Sequence, residues 1–159
     1  MQLSSPAFGD RGVIPVHHTC EGEDVSPPLS WSAVPDGTRS FALVVDDPDA
    51  PDPTAPQRVW VHWVVVDLDP GLRALEPGAS SRLPEGARNG TNDWGAREWG
   101  GPCPPIGRHR YFFKLYALDC VLPRLVAPTK AELEAAMDGH ILAEAEIVGM
   151  YHKVRHKHG

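Results

Sequence analysis

Along Phe41–Asp47 apolar and other side chains alternate, so that Phe41, Leu43, Val45 and Asp47 share one face at the two-residue period of a strand. Pro48 has no N–H for a ladder and is expected to stop regular pairing. Val59–Asp67 reads as a second strand, with Trp60, His62, Val64 and Val66 on one face and Val61, Trp63 and Val65 on the other. Two apolar faces predict a central strand covered on both sides. Arg110–Leu118 is a third strand; with pairing begun at His109, the residues His109, Tyr111, Phe113, Leu115 and Ala117 line one face. Thr129-Lys130-Ala131-Glu132 has the form of a capping box with Thr129 as N-cap. Leu133, Ala136 and Met137 then share a helix face, which Gly139 can end. Ile141–Tyr151 carries two signals: its Glu-rich start suits a helix, Ile147–Tyr151 suits a strand, and the segment is read as a strand. His152–Gly159 is a basic tail expected to fray.

Between these elements lie turn-forming residues. The 17 prolines and 15 glycines cluster in Val25–Pro35, Pro48–Pro56, Pro70–Gly86 and Gly100–Gly107. Short apolar segments separated by such clusters predict an all-β fold, a sandwich or folded sheet. The 159 residues show no repeat and no compositional break, so one domain is expected over residues 1–159, with its core at about 5–151. Hydrophobic residues at 42% and charged residues at 23% exclude wholesale disorder and a coiled coil. No apolar run is long enough for a membrane-spanning helix, and the start MQLSSPAFGDRG lacks the apolar stretch of a signal peptide. The expectation is a soluble, cytoplasmic protein without stable membrane insertion. A net charge of −6 disfavours nucleic acid and anionic lipid as partners, while leaving room for one cationic pocket. Cys20, Cys103 and Cys120 form an odd set without CxxC spacing, which reads as three reduced thiols.

The candidate chemistry sits at strand ends. Asp47 and Asp49 follow the first strand, His62 lies inside the second, and His109 precedes the third beside Arg110 and Tyr111. Burying charge or imidazole is costly unless the group is paired or used, so two histidines and two aspartates at strand ends point to a shared pocket. Asp47-Pro48-Asp49-Ala50-Pro51, Val61-His62-Trp63 and Gly101-Pro102-Cys103-Pro104-Pro105 with His109-Arg110-Tyr111 together resemble the phosphatidylethanolamine-binding protein (PEBP) family. The likeness is to its bacterial and archaeal, Raf-kinase-inhibitor-like branch, and Asp24–Leu29 with Trp31, and Asn92–Gly95, support it. It runs from about Ser5 to Tyr151.

The resemblance implies two packed antiparallel β-sheets, one or two short helices near the C-terminus, and a small cavity for phosphate-like anions. Carried over by motif, Asp47, Asp49, His62, Gly101, Pro102, His109 and Tyr111 bind the ligand. Trp60, Trp94, Trp99, Cys103 and Arg110 support or wall the pocket. No cofactor and no metal is implied. In this reading His62 and His109 donate ring N–H groups, Tyr111 a hydroxyl and Gly101 its backbone. Asp47 favours a charged histidine and Asp49 pairs with Arg110. The function implied is non-catalytic binding of a small phosphorylated or anionic ligand, with a regulatory or inhibitory role toward a kinase or protease. Prokaryotic relatives suggest a homodimer. Two departures limit the transfer: Val61 stands where animal members carry a second histidine, and Trp99 where many prokaryotic members have Tyr. The alternative is a hydrolase on the same Asp/His pocket, dependent on a metal or on a Cys103 thiolate.

Overall fold

In the computed structural model, which describes residues 1–154, the three expected strands lie side by side in one large sheet. Strands β1 (Gln2–Ser4), β2 (Gly12–Val13), β3 (Leu29–Ser32), β4 (Ser40–Ala50), β5 (Arg58–Leu68), β6 (Ala74–Leu75), β7 (Arg88–Asn89) and β8 (His109–Leu118) precede the helix α1 (Lys130–Met137) and β9 (Ile141–Tyr151). The large sheet has the order β2-β9-β8-β4-β5-β7, and a small one the order β1-β3-β6. Pairing is antiparallel except between β2 and β9, which run parallel. The all-β, two-sheet expectation holds, with a single short α-helix.

Each face of the large sheet is covered. Phe41, Leu43 and Val45 of β4, with Tyr111, Phe113 and Leu115 of β8, pack against Leu3, Leu29 and Trp31 of the small sheet. On the opposite face Ala42 and Val44 meet Leu133 and Met137 of α1. The helix begins at the expected capping box, in which Thr129 accepts from the Glu132 N–H and Glu132 reaches back to Thr129. Gly139, at φ +81°, lies just past its end. Asp46, almost fully buried, ties this layer to the sheet through Lys114 at 3.1 Å and Lys130 at 2.7 Å.

Three details differ from strict alternation. Pairing resumes beyond Pro48, where an irregularity separates the pairs Asp47↔Trp60 and Ala50↔Arg58. β5 lies next to the short β7 near the sheet edge rather than at the centre, although both its faces are buried. Most important, β5 carries a bulge: Asp46 pairs with Val61 and Val45 with Trp63, so His62 is an extra residue with no opposite number. The bulge resets the faces. Trp63 and Val65 join the inter-sheet core, while Val61, Val64 and Val66 face α1. His62 therefore shares its surroundings with Trp63, both rings lying near Trp99, and not with Val64 and Val66.

Candidate functional site

The cavity opens where the bulged part of β5 meets the end of β4 and the start of β8. Its volume is about 210 Å³. β4 and its turn contribute Asp47, Ala50 and Pro51, β5 contributes Arg58, Trp60 and His62, and β8 contributes His109 and Tyr111. Two loops complete the wall with Trp94 and with Cys103, Pro104 and Pro105. Period-2 geometry sets Arg58, Trp60 and His62 on one side of β5, and His109 and Tyr111 on one side of β8.

Asp47 and His109 form a buried pair. His109 Nδ1 lies 2.5 Å from Asp47 Oδ2, and Nε2 lies 2.8 Å from the Ile106 carbonyl. A carbonyl only accepts, so Nε2 carries a hydrogen. The other nitrogen, Nδ1, is held by the Asp47 carboxyl. Burial pushes the Asp47 carboxyl up, while the bonds from His109 and the Asp49 N–H pull it down. His109 lines the cavity, but both its nitrogens are held by protein, which corrects the expectation that it donates to a ligand.

His62 is the second correction. It is buried, and its Nδ1 donates to the Gly100 carbonyl at 2.6 Å. Burial, partly offset by that carbonyl, lowers its pKa to about 4. The ring is thus neutral at ordinary pH, with Nε2 as a lone-pair acceptor rather than a cationic donor. Trp94 and Tyr111 meet it edge-on at 5.0 and 5.1 Å between ring centroids. Tyr111 is also buried, and its hydroxyl has no hydrogen-bond partner. Burial first, then Asp47 and Asp49, raise its pKa, so it stays a neutral hydroxyl. Trp60 Nε1 is likewise without a partner.

Five expected residues lie outside the cavity wall. Asp49 is bound through both oxygens to Arg110, at 2.9 and 3.0 Å, and accepts the Arg110 backbone N–H at 2.8 Å. The expected Asp49–Arg110 pair is present, and it removes both from the ligand set. Trp99 stacks on Phe113 behind His62 and lines a neighbouring depression with Gly101. At Gly101 a Cβ would lie 2.0 Å from Asp24 Oδ1 and 2.5 Å from the His18 carbonyl, so this glycine admits the Asp24 segment rather than a ligand. Pro102 is buried, with its carbonyl accepting the Cys20 N–H.

Cys103 does line the cavity, but as half of a Cys20–Cys103 disulfide. Only Cys120 keeps a free thiol, which corrects the reading of three reduced cysteines and removes the Cys103 thiolate. A disulfide counts against the cytoplasmic expectation. Among the described residues no helix is long and apolar enough to cross a membrane. Of the tail histidines, His156 and His158 lie outside the described residues. The residues missed by sequence reasoning are Arg58, Ala50, Pro51, Pro104 and Pro105. Arg58 was within reach, since it stands two positions before Trp60 on the same strand face, and its guanidinium lies over the Trp60 ring at 5.9 Å.

Comparison with known proteins places this geometry in context. Residues 4–152 match the family model described as phosphatidylethanolamine-binding protein. A UPF0098 protein of Methanothermobacter thermautotrophicus is 48% identical over 155 residues, which cover 96% of this chain and 99% of that protein. The solved PEBP homologue of Chlamydia trachomatis superposes with a TM-score of 0.87 at 43% identity, covering 96% of this chain and 97% of the other. YbcL of E. coli, described as a member of the mammalian PEBP family, gives a TM-score of 0.85 at 35% identity, with 96% and 98% covered.

Proposed function

Because the chain belongs to the phosphatidylethanolamine-binding protein family, we propose that this cavity binds a small phosphorylated ligand without turning it over, and that occupancy regulates or inhibits a kinase or protease. The observation that carries the reading is the buried Tyr111 hydroxyl without a partner in the cavity wall. A stranded buried donor costs about 1–3 kcal/mol, and native proteins keep few of them. A ligand oxygen that accepts from Tyr111 removes that cost. Trp60 supplies a second unpartnered donor, and Arg58 a positive charge, to the same wall. The neutral His62 ring, with Nδ1 committed to Gly100, offers an acceptor.

A phosphomonoester monoanion matches this set. Its ionised oxygens accept from Tyr111 and Trp60, and its P–OH donates to His62 Nε2. Turnover has less support. Cys103 carries no thiolate, and Asp47, Asp49, His62 and His109 direct polar atoms to protein partners instead of converging on a metal.

Calorimetric titration with O-phosphorylethanolamine tests the proposal. Wild type is expected to bind, and Tyr111→Phe to bind about tenfold more weakly, as loss of one hydrogen bond to a charged group requires. The variant's folding stability should be unchanged or slightly raised, since the stranded hydroxyl is gone. Equal affinity in a folded Tyr111→Phe protein would remove the ligand role of this hydroxyl.

The His62 acceptor makes a separate prediction. The second phosphate pKa is about 6, so above it the monoanion falls about tenfold per pH unit, and affinity should fall with it. His62 itself titrates near 4, well below that window. A sulfate monoester has no proton to give and is expected to bind at least about tenfold more weakly. A flat phosphate profile between about pH 5.5 and 8, or sulfate binding as tightly as phosphate, would overturn the acceptor role.

A further inference from the structure

At the opposite end of β8 from the cavity, the chain brings a carboxylate, a thiol and an imidazole together. Asp119 and Cys120 follow the last residue of β8, and His140 immediately precedes β9. One donor atom from each lies within 4.8 Å of the other two. From this juxtaposition we propose that Asp119, Cys120 and His140 form a surface site for a borderline divalent cation of the zinc type.

The chemistry of the donors selects the ion. Thiolate and imidazole favour zinc and its neighbours over calcium and magnesium, which prefer all-oxygen shells. Three protein ligands leave the fourth tetrahedral position to solvent. With metal–ligand bonds of about 2.0–2.3 Å, neighbouring donors around a tetrahedral ion stand about 3.5 Å apart. The widest gap therefore closes, and the close His140–Asp119 contact opens, each by roughly an ångström of side-chain rotation. Asp119 and His140 can rotate, because their side chains are 44% and 47% exposed.

The backbone beneath the donors is already held. The Asp119 N–H donates to the His140 carbonyl at 3.0 Å, and the His140 N–H to the Met137 carbonyl at 2.9 Å. The Cys120 carbonyl accepts the Ser40 hydroxyl at 2.6 Å. Little ordering of the chain is left for an ion to impose. Without metal, His140 Nδ1 lies within hydrogen-bond distance of Asp119 Oδ1, at 2.8 Å, and a cation takes the place of that bond. Asp67 adds negative charge nearby and Arg39 offsets part of it. A bound ion would join the end of β8 to the start of β9, and would stabilise the fold by mass action.

Cobalt(II) is the probe. Full-length protein, stripped with chelator and kept free of reductant so that Cys20 and Cys103 stay joined, is titrated with cobalt. One equivalent is expected to develop the charge-transfer absorption of a cobalt–thiolate bond, and zinc to abolish it. Cys120→Ser should lose the band, which histidines elsewhere on the chain cannot produce. His140→Ala and Asp119→Asn, both at exposed positions, should each weaken binding by about tenfold or more. No band in wild type overturns the proposal, as does a band that survives in Cys120→Ser. A band that needs Cys120 but ignores both other substitutions also overturns it, because it marks a lone thiol adduct. Should Cys120→Ser fail to fold, the two exposed variants decide.

Discussion

A His109→Ala variant is expected to lose about 3–5 kcal/mol of folding stability at neutral pH, the range for removing one partner of a buried ion pair. His109 is 1% exposed and holds Asp47, itself 3% exposed. Without the imidazole, Asp47 keeps only the Asp49 N–H at 2.7 Å. The Ile106 carbonyl loses its donor as well. Burial already holds the Asp47 carboxyl above its ordinary pKa, and losing the His109 bond that lowers it pushes it further above its unfolded value. A group raised in this way binds more protons folded than unfolded, and its contribution to stability grows as pH falls. The deficit relative to wild type should therefore shrink between neutral pH and the ordinary carboxylate range. Adding Asp47→Asn should recover part of the loss, because it removes the stranded charge. Urea unfolding of wild type and the single and double variants at two pH values measures all three terms. A deficit below about 1 kcal/mol at neutral pH would mean that solvent, not His109, satisfies Asp47.

The same pair shows what could be read in the sequence. β4 and β8 are regular where it mattered, so alternation placed Asp47 with Phe41, Leu43 and Val45, and His109 with Tyr111 and Phe113. β5 broke the rule, because an inserted residue moves the side chains that follow it to the other face, and a bulge leaves no mark in a run such as Val61–Val66. The motif blocks brought the right segments together without saying which members face the cavity. Asp49 and Gly101 sit in those blocks, yet Asp49 binds Arg110 and Gly101 packs against Asp24. Charge states were also out of reach. His62 is a base by composition, but its pKa of about 4 follows from burial and the Gly100 carbonyl, which only tertiary structure supplies. Pairing of Cys20 with Cys103 is equally non-local, while Cys120, the third thiol, stays free.

Reduction of that disulfide is expected to lower stability by about 4.5 kcal/mol, the loop-entropy value for cysteines separated by 83 residues. For a chain of this length the melting temperature then falls by on the order of 10 °C. A dithiol reductant supplies the two electrons and two protons that convert the bond to two thiols, so iodoacetamide should label one cysteine before reduction and three after. The effect reaches the cavity because the bond anchors its wall. Cys103, Pro104 and Pro105 line it, and the same segment supplies the Gly100 carbonyl to His62 and the Ile106 carbonyl to His109. The Cys20 N–H to Pro102 bond at 3.2 Å and the Trp99 Nε1 bond to the His18 carbonyl at 3.2 Å remain after reduction. The segment is therefore loosened, not released, and O-phosphorylethanolamine affinity should drop roughly threefold or more as preorganisation is lost. A Cys20→Ser/Cys103→Ser protein should match the reduced wild type in both readouts and be indifferent to reductant. Undiminished melting temperature and affinity in that double variant would show that non-covalent contacts alone hold the wall, and three thiols labelled before reduction would show that the bond does not form.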